Sequence, residues 1–94
     1  MIPFDRQSRV TLTPRSRHRS VLDEGLVMRQ RDGELMVVNE VGSRVLEGCT
    51  AKLTIQEILD RLVLEFDVPE EDLARDVLAY LEELRQLDVV ETVQ

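Results

Sequence analysis

The chain reads as an α+β domain of the winged helix-turn-helix type, a three-stranded antiparallel sheet followed by three helices. Three observations predict it. Asp32-Gly33 stands between two apolar runs, a strong hairpin signal because Gly accepts the positive φ of the primed turns. Apolar residues then recur at helical spacing from Ile55 onward, in two blocks parted by Asp67-Val68-Pro69. Finally, 94 residues allow one domain with a modest core.

Residues 1–19 hold five Arg, the only His, four Ser or Thr, and two Pro, which predicts a basic, loosely docked N-terminal arm, with the domain proper at 20–94. Such an arm can grip nucleic acid. The acidity of residues 23–94 favours instead a solvated tail or one lying on its own domain.

Val21-Leu22 begins a first strand, with Asp23-Glu24-Gly25 as its turn, and Leu26–Gln30 is the second. A two-residue turn at Asp32-Gly33 would set Arg31 against Glu34, Arg29 against Met36 and Met28 against Val37. In that register Leu26, Met28, Leu35 and Val37 form the core face. Val27, Arg29, Arg31, Glu34, Met36 and Val38 form the other.

Asn39 is a good N-cap for a short helix from Glu40 to about Glu47, with Val41, Val45 and Leu46 inward and Gly48 as a left-handed terminator. Thr54 and Glu57 have capping-box spacing, and Ile55, Ile58, Leu59, Leu62 and Phe66 form the buried stripe of the second helix. Pro69 suits the opening of the third helix. Glu70, Glu71 and Asp72 complement its positive dipole end. That helix should reach about Leu87, and Val89, Val90 and Val93 suggest a short terminal strand.

On a helical wheel Leu73, Val77, Tyr80, Leu84 and Leu87 make the core stripe of the third helix. Ala74, Leu78, Leu81 and Arg85 extend the apolar surface along one flank. The flank is either a groove wall beside the strand at 34–38 or the result of a small domain wrapping its central helix. The opposite arc carries Asp72, Asp76, Glu82 and Glu83.

Charge and composition exclude several functions. The net charge is −7, and residues 23–94 hold seven basic against eighteen acidic groups. The third helix, with six acidic residues and two Arg over 69–87, opposes a phosphate backbone. No stretch has the length of a membrane span. The single Cys cannot form an intrachain disulfide, which with the absence of a signal-peptide run points to a cytoplasmic protein. No catalytic set, cofactor motif or metal-ligand spacing is visible. One His and one Cys do not make a usual structural zinc site.

From about Val21 to Val90 the chain resembles the PqqD family of peptide chaperones in pyrroloquinoline quinone biosynthesis. It equally resembles the wider RiPP recognition elements, the leader-peptide-binding domains of ribosomally made and modified peptides. The residues that carry the resemblance are Leu22-Asp23-Glu24-Gly25-Leu26-Val27 and Val38-Asn39-Glu40-Val41-Gly42-Ser43-Arg44-Val45-Leu46-Glu47. Thr54 to Ile58, Phe66-Asp67-Val68, and Asp72 to Val77 with Leu81 and Leu84 complete it.

The resemblance implies a non-catalytic chaperone. A leader peptide adds as a strand to the edge formed by Glu34, Leu35, Met36, Val37 and Val38, against a helix wall of Ala74, Leu78, Leu81 and Arg85. It further implies a modifying enzyme as partner, often a radical S-adenosylmethionine enzyme. The rival readings are a winged-helix DNA-binding regulator that uses the basic arm, and a module that forms a homodimer through the same sheet edge.

Overall fold

The computed structural model describes residues 4–93. Five strands and three helices succeed one another: β1 (Val10–Leu12), β2 (Ser16–Val21), β3 (Glu24–Arg29), β4 (Leu35–Val38), α1 (Glu40–Thr50), α2 (Ile55–Glu65), α3 (Glu70–Gln86) and β5 (Val90–Thr92). The expected antiparallel three-stranded sheet is present in the order β2-β3-β4, with three helices after it.

Residues 4–19 are not an arm. Residues 1–3 lie outside the described part, and the expected boundary at residue 19 falls inside β2. β1 pairs with β5 in a second, two-stranded sheet, Val10 opposite Thr92 and Leu12 opposite Val90. Val10 is fully buried, and Thr13 and Ser16 nearly so. The missing signal was long-range. The short apolar alternation at Val10 and Leu12 becomes a strand only because the C-terminus returns beside it. The arginines are then drawn to acidic partners: Arg6 to Glu70 at 2.9 Å, Arg9 to Glu57 at 3.6 Å, Arg15 to Asp88 at 2.7 Å.

The β3–β4 hairpin also differs from expectation. Arg29 lies opposite Glu34, its N–H donating to the Glu34 carbonyl at 3.1 Å, so four residues form the loop and the register shifts by two. Gly33 does take a positive φ of 70°, but within this wider loop. The tight two-residue turn lies instead between Val21 and Glu24, where Leu22 adopts φ 57°.

A shift of two leaves each strand's faces unchanged, yet the faces are inverted relative to the core. Val27 and Val38 are buried, while Leu26, Met28, Leu35 and Val37 are 36%, 38%, 64% and 68% exposed. The helical layer packs on the Gly25–Val27–Val38 side because α1 comes extremely close there. A Cβ on Gly25 would lie 2.7 Å from Ser43 Oγ and 2.8 Å from His18 Nε2. The side that accepts such an approach must be small, so the larger apolar residues are left outside.

Caps place the helices much as the sequence predicts. Asn39 Oδ1 accepts from the Gly42 N–H at 2.9 Å. Thr54 Oγ1 accepts from the Glu57 N–H at 3.1 Å, and Glu57 Oε1 accepts from the Thr54 N–H at 2.8 Å, closing the capping box. Gly48 is not a terminator: α1 continues through it to Thr50. Its role is packing, since a Cβ there would lie 2.5 Å from Ile58 Cγ1 and hold α1 off α2. Ile55, Ile58, Leu59 and Leu62 from α2 meet Leu73, Ala74, Val77, Leu81 and Leu84 from α3 in one core with Leu46, Cys49 and Val90. Burial pushes the Cys49 thiol up to about 12, so it behaves as a small apolar residue.

Candidate peptide-binding site

β4 is the last strand of its sheet, and its outer edge carries no strand among the described residues. Antiparallel ladders alternate between bonded and non-bonded pairs. Since Arg29 and Glu34 form a bonded pair, Val27–Met36 and Gly25–Val38 are bonded too. Met36 and Val38 therefore turn their backbone groups toward β3, and Leu35 and Val37 turn theirs outward. The open edge is a donor and an acceptor at each of two alternate residues. This is the pattern a further strand needs.

Two contacts set β4 alongside α3. At the start of β4, the Arg29 guanidinium donates to the Leu87 carbonyl at the end of α3 (3.0 Å), to Asp32 Oδ2 (2.8 Å) and to Glu34 Oε2 (2.6 Å). This side chain, only 13% exposed, ties the hairpin tip to the helix end. At the other end, Asn39 directly succeeds β4 and lines a cavity of about 340 Å³ between α1 and the first half of α3. Strand and helix thus run in opposite directions, with Arg29 joining the hairpin to the end of α3 and the cavity lying beside the residue that follows β4.

The cavity walls are largely apolar: Val41 and Val45 from α1, Leu73 and Val77 from α3, and Val68 before it. Tyr80, Asp76 and Asn39 add the polar groups. The Tyr80 hydroxyl is buried without a hydrogen-bond partner among the described residues, and burial, aided by Glu83, pushes it up to about 12. Gly42 lets it lie there, since a Cβ at that position would be 2.9 Å from the Tyr80 oxygen.

Of the residues expected to form the site, Leu35, Met36, Val37 and Val38 make the open strand. Glu34 precedes it, its carboxylate held by Arg29. The expected helix wall is only partly where it should be. Ala74 and Leu81, 5% and 0% exposed, are spent on the core, and Leu78 packs against that core. Arg85 is paired with Glu82 on its own helix at 2.9 Å, and that bond holds the Glu82 carboxyl below its usual range. The face of α3 lining the cavity is Leu73, Asp76, Val77 and Tyr80, rotated by about 120° from the expected wall at 100° per residue. Leu73, Val77 and Tyr80 belong to the stripe expected to fill the core, and Asp76 to the acidic arc beside it. Arg29 was not among the expected site residues. The only available signal for Arg29 was a charge inside an otherwise apolar run.

Among the described residues no group of His, Cys, Asp or Glu is arranged to hold a metal ion, and no helix is long and apolar enough to cross a membrane.

Known proteins resemble this chain in sequence and fold. The family model for coenzyme PQQ synthesis protein D (PqqD) matches residues 24–90, well over half of the chain. The chain belongs to the PqqD family. It is 35% identical over 78 residues to the PqqA binding protein of Gluconobacter oxydans (strain 621H), a match covering 83% of this chain and 79% of the relative. The solved structure of TbiB1 in complex with the TbiA(beta) leader peptide shares the fold, with a TM-score of 0.81 at 20% identity. That match covers 89% of this chain and 98% of the other.

Proposed function

We propose that this PqqD-family chain binds the leader of a ribosomally made precursor peptide as a fourth strand on β4 and presents it to a modifying enzyme without doing chemistry itself. The observation that carries the reading is the open β4 edge, with the backbone groups of Leu35 and Val37 turned away from β3. Strand addition draws sequence-tolerant affinity from the main chain and specificity from pockets for alternate side chains. Membership of the family, the PqqA-binding name of one relative and the leader complex of the structural neighbour support it.

The DNA-binding reading loses its main asset. Arg6, Arg9 and Arg15 are already engaged with carboxylates, and α3 presents Asp72, Asp76 and Glu83. The outer sheet face offers a receiving enzyme a surface of its own. There Leu26, Met28, Leu35 and Val37 lie exposed, and Arg17 and Arg19 occupy the same face by register. A radical S-adenosylmethionine enzyme is the class of partner that the family resemblance implies.

The test is a titration of the ¹⁵N-labelled chain with the PqqA peptide of Gluconobacter oxydans. Strand addition should shift the amides of Leu35 and Val37 most and protect them from hydrogen exchange. Binding with those amides unmoved would refute this mode of recognition.

A further inference from the structure

The cavity between α1 and α3 has a definite chemistry. Its walls are aliphatic, supplied by Val41, Val45, Leu73 and Val77. Each polar group facing it can accept a hydrogen bond, and none is a cation. Asp76 brings a carboxylate. Asn39 Oδ1 accepts only from the Gly42 N–H, leaving a second lone pair. The Tyr80 oxygen has no partner among the described residues. The nearest cation to Asp76 is Arg75, at 3.9 Å, and both side chains are more than 70% exposed, so that pair is weak.

Resting on the peptide-binding reading above, we propose that this cavity takes a lysine or arginine side chain of the docked peptide. Its aliphatic stem would pack on the valines and Leu73, and its charged head would meet the exposed Asp76 carboxylate at the rim. A long basic side chain suits such a site because its stem is apolar and its head wants acceptors at a wet rim. An acidic side chain would be repelled by Asp76 on a chain of net charge −7. A purely aliphatic one would fill the walls, yet strip Asp76 of water with no charge to replace it. The place is right for a strand on β4, because Asn39 both ends that strand and lines the cavity, so an inward residue near the strand's end arrives at its mouth. A volume of about 340 Å³ holds such a side chain with room for water.

Two arms test this. In the first, the ¹³C-methyl-labelled chain is titrated with Nα-acetyl-lysine N-methylamide and with its norleucine counterpart, which has a similar stem and no charge. The lysine amide should shift the methyls of Val41, Val45, Leu73 and Val77 at concentrations at least about threefold lower. The difference should shrink with salt and vanish in Asp76→Asn. Equal response to the two amides, or a lysine preference that survives Asp76→Asn, would overturn the proposal. In the second arm each Lys and Arg of the PqqA peptide is replaced in turn by norleucine. One position should lose about five- to tenfold in affinity, and that loss should disappear in Asp76→Asn. Should PqqA bind along β4 with every such replacement neutral, the pocket assignment fails and strand addition stands. Should PqqA not bind while the amides are discriminated, the pocket stands and the peptide reading fails.

Discussion

Replacing Val37 with proline separates the open edge from the fold that carries it. The Val37 N–H points away from β3, so the ring removes a donor that the protein's own ladder does not use, and proline is tolerated on edge strands in this orientation. The side chain is 68% exposed and contributes little to the core. The unfolding free energy should therefore change by less than about 1 kcal/mol. A docked peptide, by contrast, loses one main-chain hydrogen bond. A net value of about 0.5–1.5 kcal/mol for such a bond corresponds to about 2- to 12-fold weaker binding. Crowding by the ring against the incoming strand adds to the loss. The control is Met36→Pro, one residue away. The Met36 N–H faces Val27, so this change breaks the β3–β4 ladder and strands a carbonyl, at a cost of about 1–3 kcal/mol in stability. Urea titration followed by circular dichroism reads the stability, and fluorescence anisotropy with labelled PqqA reads the affinity. If Val37→Pro binds the peptide as tightly as the parent, no strand adds to this edge, and the outward-turned groups of β4 serve some other purpose.

Three further predictions concern the scaffold. Gly48→Ala would push a Cβ into Ile58; overpacking costs about 1–3 kcal/mol, better helix propensity returns about 1, and chemical denaturation should show a net loss of about 1 kcal/mol. Leu22 is 94% exposed and holds φ 57°, so Leu22→Gly relieves about 1–2 kcal/mol of left-handed strain against the entropy of glycine, and thermal unfolding should occur no lower and up to a few degrees higher. His18, half-buried with Nε2 3.0 Å from Ser43 Oγ, is pushed below its ordinary 6.5 by desolvation, with Glu47 opposing. The unfolded chain then binds the proton more readily, so this contribution is complete above about pH 6.5 and is lost as pH falls through the lower folded value. Between pH 7.5 and 5.5 the parent should lose more stability than His18→Gln, and equal losses would show that the imidazole binds its proton equally well folded and unfolded.

Local chemistry was readable where it is decided within a few residues. The Asn39 cap, the Thr54–Glu57 box and the break at Asp67-Val68-Pro69 each depend on neighbours in the chain, and the structure has each of them. The turn at Asp32-Gly33 was half right. Glycine does take the positive φ, but the Arg29 contacts to Asp32, Glu34 and the end of α3 accompany a four-residue loop. A strand does run through Leu35–Val38 as the sequence predicts, but its inward face is the opposite one. Both faces of β3 and β4 are apolar enough to bury, and only the close approach of Ser43 to Gly25 selects one.

By itself, then, the order of residues determined a hairpin-and-helices domain, its caps, its acidic character and its kinship, because propensity, capping and net charge are properties of short stretches or of the whole composition. Three things were decided only when distant parts met: that the arginine-rich beginning becomes a strand beside the C-terminus, which side of the sheet is buried, and which residues of α3 border the cavity against α1. Each turns on which of two comparably apolar surfaces wins the same partner. That competition is settled by the space between backbones, which no local pattern encodes.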